Sequence, residues 1–383
     1  MKKGVYFMVF LFFAGIVFTL AVGVLSCLDW WKKHIPASQV FFWGITALLL
    51  VNMFYTVFNI KSITVKPFKE IMIFLSAVTF IVLIYTSVIM LIKYLLGFIF
   101  GGFLKPTNPF LRFVRERAIT LPVLVGITTL VGVIGYIHMG QITTVDYEIN
   151  TPKVSQNKSI TAAVIADTHI GISAHKSTID TIIEQINDMQ PDVVFLVGDI
   201  FDENTTTDEM EYFSEKFKDV KSKYGSFFVY GNHENMQSED VAKYIKEAGI
   251  TILEDSTAVI AGDITLVGML SEYDSSGDPI ERIFKQQKVD TSKPVIVLKH
   301  EPLKINDIAK AGADVSVHGH THGEQFPFTY LPFSFLNDMM RGTKKFGDMT
   351  AFTTQGAGGW GFHFKLPAKS EVARVKINFG VKD

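Results

Sequence analysis

Two histidines stand two positions apart in the stretch Gly319-His320-Thr321-His322-Gly323, which follows an apolar run at residues 313–317. The run predicts a buried strand, and alternate side chains of extended backbone point the same way, so both imidazoles can face one point. Glycine on either side lets the backbone come close to whatever lies there. Neutral imidazole is the commonest metal ligand, so the stretch indicates a metal site, provided that the rest of the chain supplies partners.

Four other apolar runs also end in residues of metal-binding type. The runs at residues 160–166, 192–197, 226–230 and 295–299 are followed by Asp167-Thr168-His169, Gly198-Asp199, Gly231-Asn232-His233-Glu234 and His300-Glu301. Any one of these side chains, taken alone, would pass for an ordinary loop or core residue. Sites in open α/β sheets form at the carboxyl ends of the strands, so five runs with the same kind of ending predict that these side chains meet.

The motifs, taken as a set and in this order, resemble the calcineurin-like metallophosphoesterase superfamily over roughly residues 160–380. The ending Gly-Ala-Gly-Gly-Trp-Gly at residues 356–361 is similar to the branch that couples this domain to N-terminal membrane segments. That branch usually reads Gly-His-Thr-His-Gly-Gly-Gln, and here Glu324 replaces the second glycine. Phe362-His363-Phe364 stands where the branch usually has prolines. Both departures concern the rim of the substrate site rather than the ligands.

The resemblance implies a fold and a role for each residue. The fold is a pair of β-sheets packed face to face with helices outside, a four-layer α/β/β/α arrangement. The implied ligands are Asp167, His169, Asp199 and His322 for one metal, and Asp199, Asn232, His300 and His320 for the other, with Asp199 bridging. His233 would stabilise the transferring phosphoryl group and protonate the leaving oxygen. Glu234 would either orient His233 or be a plain solvated glutamate.

The implied ligand set suits two divalent cations, and its mixed nitrogen and oxygen donors favour Mn, Fe or Zn. Two carboxylates against two such ions leave positive charge for a phosphate anion, and water bound to the metals would ionise near neutral pH. We therefore expect hydrolysis of a phosphomonoester, phosphodiester or pyrophosphate bond by attack of metal-bound hydroxide. The alternative is a membrane sensor or scaffold with a structural metal site and no turnover, and the spare His233 favours the enzyme.

The elements that position these residues alternate between strand-like and helical patterns over residues 160–383, which predicts an α/β domain. Residues 143–159 form a polar stretch that we interpret as a linker. Residues 1–142 are overwhelmingly apolar, with uncharged runs at 4–28, 40–58, 71–92 and 119–137. Each run is near the ~20 residues that cross a bilayer, so we expect four transmembrane helices and a multi-pass membrane protein. Basic residues nearly balance on the two sides, which leaves the side of the α/β domain undetermined.

Composition and loop chemistry limit the partners. The formal net charge is −2 and no basic, aromatic groove is evident, so no nucleic-acid partner is expected. The single cysteine, Cys27, excludes an intrachain disulfide. The stretch 325–340 is rich in Phe, Pro, Leu and Met. Beside a metal site on a membrane-tethered domain, such a loop suggests a lipid phosphate or lipid pyrophosphate; simple packing against the core or the membrane helices is the alternative. The expected substrate is therefore a phosphorylated small molecule or lipid.

Overall fold

In a computed structural model, the chain is described at residues 2–35, 39–63, 65–116, 119–171, 174–234, 240–270, 279–326 and 333–381. It divides into two units, of which the first comprises Met1–Phe58 with Val65–Tyr136 and the second Asn59–Thr64 with Ile137–Asp383. The candidate ligands all fall in the second unit.

Helices make up the first part of the chain: α1 Lys2–His34, α2 Gln39–Asn59, α3 Lys66–Gly101, α4 Pro109–Arg115 and α5 Thr120–Met139. Among the described residues, three helical stretches are long and apolar enough to cross a membrane, namely Gln39–Ser62, Lys66–Gly101 and Thr120–Met139. The count is therefore three rather than the four predicted. The remaining predicted run, at residues 4–28, lies within α1, and the side chains of residues 1–17 fall outside the described part.

The second unit contains twelve described strands and five described helices. The strands are β1 Ile142–Thr151, β2 Ser159–Ile165, β3 Val193–Val197, β4 Ser226–Val229, β5 Thr251–Ile252, β6 Ser256–Ile260, β7 Ile264–Gly268, β8 Val295–Leu298, β9 Val315–His318, β10 Gly342–Phe346, β11 Met349–Thr353 and β12 Ser370–Phe379. The helices are α6 Lys176–Met189, α7 Thr207–Phe217, α8 Val241–Glu247, α9 Pro279–Gln286 and α10 Ile305–Lys310.

The strands form two six-stranded sheets, ordered β1-β12-β2-β3-β4-β5 and β10-β11-β9-β8-β7-β6. In the first sheet β2, β3, β4 and β5 pair in parallel. In the second, β7, β8, β9 and β11 do the same. Parallel pairing sends the carboxyl ends of neighbouring strands to one edge, which is where the candidate ligands follow each strand.

One buried apolar cluster fills the space between the sheets, with Val164 and Phe195 from the first sheet and Leu298 and Val317 from the second. A second cluster packs α6, α7 and α8 on the outer face of the first sheet, and a third packs α9 and α10 on the outer face of the second. Strands covered on both faces read as nearly continuous apolar runs, which is why the sequence shows them clearly. The predicted four-layer α/β/β/α fold is confirmed.

The interpretation of residues 143–159 as a linker differs from the structure. Residues 142–151 form β1, which pairs in parallel with β12 over its whole length. The strand is an edge strand, and only Ile142, Ile149 and Thr151 are buried along it. An exposed edge carries polar and charged side chains, so its composition resembles that of a loop.

Candidate metal centre

Five candidate ligands have left-handed backbone, in which non-glycine residues are uncommon. Their φ angles are 52° for Asp167, 47° for His169, 53° for Asp199, 72° for His320 and 50° for His322. Each follows directly after a strand of the parallel edge, where the chain turns sharply into the next connection. Backbone strain of this kind concentrates at functional sites, because only surrounding packing can hold it.

Glycine makes the close approach of these turns possible. A Cβ added at Gly231 would lie 2.2 Å from Asp199 Oδ1 and 2.5 Å from the backbone nitrogen of Asp199. No other residue fits that space, so the turn after β4 can rest directly on the turn after β3. This contact brings Asn232 and His233 next to Asp199.

The first group of donors comprises Asp167, His169 and His322, whose donor atoms lie within 4.8 Å of one another. Asp167 Oδ1 lies 3.7 Å from His322 Nε2, and the carboxylate also accepts a hydrogen bond from the backbone N–H of His320 at 2.9 Å. His169 Nε2 lies 3.8 Å from Asp199 Oδ2. Asp199 therefore stands close to this group as well.

The second group comprises Asp199, His300 and His320, with the same 4.8 Å limit between donor atoms. His300 Nδ1 lies 2.7 Å from Val197 O, which can only accept, so Nδ1 carries a proton. Burial acts to lower the pKa of His300, but the neighbouring Asp199 outweighs it and raises that pKa well above its ordinary value. His300 Nε2 lies 3.0 Å from Asp199 Oδ2. Asn232 Oδ1 lies 2.9 Å from His320 Nδ1, which places the neutral amide in the same group. The structure thus brings together all seven residues that the sequence analysis proposed as ligands.

Three ring nitrogens in this cluster are buried and have no hydrogen-bond partner among the described residues: His169 Nδ1, His169 Nε2 and His322 Nδ1. Unpaired buried polar atoms are costly, so a native cluster of them calls for a ligand. Burial lowers the pKa of His169 to about 3 and that of His320 to about 4, and it lowers the pKa of His322 as well. Neutral imidazoles with free lone pairs beside two carboxylates fit divalent cations.

The two buried carboxylates have pKa values that move in opposite directions. Burial, together with the nearby charge of Asp199, raises the pKa of Asp167 to about 7. Burial also acts to raise the pKa of Asp199, but the neighbouring His300 outweighs it and holds that pKa below its usual range. Asp199 is therefore the carboxylate that keeps its negative charge, which suits the residue shared by the two groups.

His233 has a partner that the sequence analysis missed. Its Nδ1 lies 3.0 Å from Glu203 Oε2, and since a carboxylate only accepts, His233 donates this hydrogen bond. Burial alone would lower the pKa of His233, but the bond to Glu203 and the charge of Asp199 raise it above its ordinary value. The backbone N–H of His233 also donates to Asp199 Oδ1 at 2.9 Å. The contacts that fix His233 beside the cluster thus also favour its protonated form.

Glu234 is neither an orienting group for His233 nor a solvated side chain. It is buried, and its Oε2 accepts from the backbone N–H groups of Asp199 at 2.9 Å and Gly231 at 2.8 Å. Its Oε1 accepts from the N–H groups of Ile200 at 2.7 Å and Phe201 at 3.1 Å. One carboxylate therefore ties the turn after β3 to the turn after β4.

Lys365 is a second residue that the sequence analysis missed, and it is fully buried. Its Nζ donates to the carbonyl oxygens of Gly356 at 2.9 Å and Gly358 at 2.8 Å, and also to that of Gln355. The backbone N–H of Gly358 in turn donates to Asp167 O at 2.9 Å. Burial lowers the pKa of Lys365 to about 8. The lysine fixes the segment that backs the first carboxylate.

Part of the apolar loop at 325–340 lies outside the described residues, namely 327–332. Of the rest, Phe335 is 79% exposed and Leu336 68% exposed, and Phe333 is 43% exposed. These three side chains do not pack into the core of the second unit. These three residues therefore present apolar surface to their surroundings, whereas Met339 and Met340 are buried and Met339 packs into the third core cluster, as the alternative of packing against the core predicts.

Comparison with known proteins relates the second unit to one family. Residues 160–324 match the sequence model of the family described as calcineurin-like phosphoesterase. A Helicobacter pylori protein described as an uncharacterized metallophosphoesterase is 30% identical over 230 residues, which span 58% of this chain and 60% of that protein. A Campylobacter jejuni protein of the same description is 28% identical over 97% of this chain and 99% of its own length. A Danio rerio transmembrane protein with metallophosphoesterase domain is 26% identical, over 66% of this chain and 61% of that protein.

Proposed function

We propose that this chain, whose residues 160–324 belong to the calcineurin-like phosphoesterase family, is a metal-dependent hydrolase of phosphoric ester bonds. The observation that carries the proposal is the set of buried ring nitrogens without hydrogen-bond partners among the described residues, gathered around Asp167 and Asp199. A cation would satisfy these atoms together, and each unpaired buried atom otherwise costs stability.

We assign two metal positions to this set. One would be held by Asp167, His169, Asp199 and His322, and the other by Asp199, Asn232, His300 and His320. Divalent cations held there supply a water of lowered pKa and positive charge for the phosphoryl oxygens. The protein's own contribution is to present neutral imidazoles and the charged Asp199 in fixed positions at the edge of the two sheets.

His233 is the group that we assign to proton transfer. A ring nitrogen of His233 also lies within 4.8 Å of donor atoms of His169 and Asp199. We assign His233 to proton transfer rather than to a ligand set because Glu203 holds it through Nδ1. The raised pKa favours the protonated imidazole, which can stabilise the phosphoryl group and give a proton to the leaving oxygen. The sensor or scaffold alternative gives this hydrogen-bonded histidine no task.

We further propose a multi-pass membrane protein that acts on a lipid phosphate or lipid pyrophosphate. The support is the three described helices of membrane-spanning length and the exposed Phe333, Phe335 and Leu336 that follow the paired histidines. Large exposed apolar patches on soluble domains mark interaction sites, and a bilayer surface is one such partner. A phosphorylated small molecule is the other substrate class consistent with the same centre.

The test is turnover by the full-length protein in detergent, loaded in turn with Mn²⁺, Fe²⁺ and Zn²⁺. An aryl phosphate, a diaryl phosphate, inorganic pyrophosphate and a phosphorylated lipid in mixed micelles are the substrates. We expect release of phosphate or alcohol from at least one substrate, and His233→Asn should keep the metals while losing the rate. Absence of turnover with every metal, in protein that holds two equivalents, would replace the enzyme with the structural-site alternative.

A further inference from the structure

Trp360 stands out because it is half exposed at the edge of an otherwise buried site. Its side chain is 51% exposed, whereas His233 beside it is buried. The centroids of the two rings lie 6.0 Å apart, and the ring planes are inclined by 49°. An indole left open to solvent next to the proton-transfer group is available to contact a bound molecule, since Trp gains more than most side chains from being covered.

The backbone of Trp360 is held by a buried side-chain amide. Gln325 Oε1 accepts from the backbone N–H of Trp360 at 2.9 Å, and Gln325 Nε2 donates to Trp360 O at 3.1 Å. The same Nε2 donates to Phe362 O at 3.1 Å. Gln325 is itself buried, so the amide is committed to these three bonds. The exposed ring of Trp360 is thus attached to backbone that hydrogen bonds hold in place.

Neighbouring residues also help to hold the backbone of Trp360 in place. A Cβ added at Gly359 would lie 2.9 Å from both Cδ and Nε2 of Gln325, so the amide can take its position only beside a glycine. Phe364 is fully buried and stacks on Phe326 with 5.6 Å between ring centroids. Phe364 therefore anchors the segment in the core while Trp360 stays at the surface. These contacts join the segment that follows the paired histidines, at Gln325 and Phe326, to the segment that precedes β12, at residues 359–364.

We propose that Trp360 is a specificity-determining residue that forms an apolar wall for the leaving group of the substrate. The proposal rests on the proposed function, because the leaving oxygen must lie within reach of His233 to receive its proton. The carbon atoms attached to that oxygen would then contact the indole ring of Trp360. The preferred substrate is a phosphoric ester of an apolar alcohol, either an aromatic alcohol or the long alkyl chain of a lipid.

The expected consequence is a selective loss in Trp360→Ala. Covering an aromatic ring or several methylene groups contributes roughly 1–2 kcal/mol, so kcat/KM for apolar leaving groups should fall about 5- to 30-fold. For glycerol phosphate, whose leaving alcohol is small and polar, the change should stay within about 2-fold. Trp360→Phe should restore most of the loss with an aryl ester.

The experiment uses the full-length, metal-loaded protein with 4-nitrophenyl phosphate, dodecyl phosphate and glycerol phosphate. Trp360→Leu separates the two sources of apolar alcohol, because a leucine keeps contact with an alkyl chain but offers no ring to stack on. Gln325→Ala should also lower kcat/KM for apolar leaving groups, but by less than Trp360→Ala and mainly through KM. The variant removes the hydrogen bonds that fix the backbone of Trp360 and leaves the indole itself in place. Val259→Ala, at an exposed apolar side chain on β6, is the matched control and should change nothing.

The ratio of kcat/KM of each variant to that of the wild type, measured on each substrate, tests the role of Trp360. Equal losses on all three esters, or no loss on any, would overturn the role of Trp360 while leaving the hydrolase intact. A wild type that cleaves none of the three esters, nor a diaryl phosphate, inorganic pyrophosphate or a phosphorylated lipid, would instead remove the proposed function itself. Metal content and melting temperature of each variant identify a folding defect, and in that case the Trp360→Phe and Trp360→Leu pair still tests the selectivity.

Discussion

Glu234 Oε2 accepts a hydrogen bond from the backbone N–H of Asp199 at 2.9 Å, so the residue after His233 positions the carboxylate shared by the two donor groups. Glu234 contacts the backbone of Asp199, so it fixes the turn after β3 and does not touch the carboxylate oxygens that would bind metal. This contact explains why a glutamate follows the histidine without contacting the proposed substrate.

Glu234→Gln should destabilise the domain and weaken metal binding. An amide in place of the carboxylate points its own donors at backbone N–H groups, and breaking such charge-assisted bonds in the interior costs roughly 3 kcal/mol. Thermal unfolding of the metal-loaded protein should show a lower melting temperature than Glu215→Gln, which changes an exposed glutamate. Equal melting temperatures for the two variants would contradict the role given to Glu234.

Asp199→Asn should lose both metals. A neutral amide keeps the shape of the side chain but removes the charge that both metal positions share, and the imidazoles alone would hold divalent cations weakly. Metal analysis after gel filtration should give close to two equivalents in the wild type and well under one in the variant. Asp202→Asn, at the neighbouring buried carboxylate 3.8 Å from His169 Nδ1, is the control and should keep most of the metal. A stable single equivalent in Asp199→Asn would show that the carboxylate is not shared.

Chelation should lower the melting temperature of the second unit. A ligand present at ~100–1,000 times its dissociation constant stabilises the folded state by about 3–4 kcal/mol, which for a domain of this size is roughly 5–15 °C. Differential scanning calorimetry with and without a chelator measures the shift, and re-addition of Mn²⁺ or Zn²⁺ should reverse it. Asp199→Asn should melt at the same temperature in both conditions. A wild type that is indifferent to the chelator would argue against metals at these ring nitrogens.

His233→Asn should reduce kcat by ~10²–10⁴ while the metals stay bound, as expected for a positioned acid. Glu203→Gln should cost less, about 10-fold, because the Glu203 side chain is 45% exposed and water can replace part of its effect. In the double variant, Glu203→Gln should lower kcat hardly further than His233→Asn alone does, since Glu203 acts through His233. Fully additive losses would mean that Glu203 has a separate task.

Phe333→Ser combined with Phe335→Ser should slow the turnover of a phosphorylated lipid in bilayers and leave that of an aryl phosphate unchanged. The physical reason is that these exposed side chains would enter the interface and bring the centre to the lipid. Val259→Ser, on β6, controls for a general change in surface polarity. If the loop variant and the control turn over lipid equally well, the loop has no part in taking substrate from the bilayer.

The ligands could be read from the sequence because each follows a strand that is buried on both faces. A continuous apolar run ending in Asp167 or His300 is visible locally, and parallel pairing then brings the ends together. Glu203 was not visible in this way, since it sits in a polar turn thirty positions from His233 and reads as a solvated residue. Lys365 resembles a surface lysine for the same reason, although its Nζ is buried among carbonyl oxygens. Only the folded chain reveals which polar residues turn inward.

The position of β12 in the first sheet has a consequence for how the protein matures. The strand lies between β1 and β2, parallel to the former and antiparallel to the latter, yet it is made after every other described strand. During translation, β2 therefore lacks its neighbour on one side until residues 370–379 have left the ribosome. The nascent chain exposes an unpaired, apolar strand edge during that interval, and such an edge favours aggregation until β12 covers it.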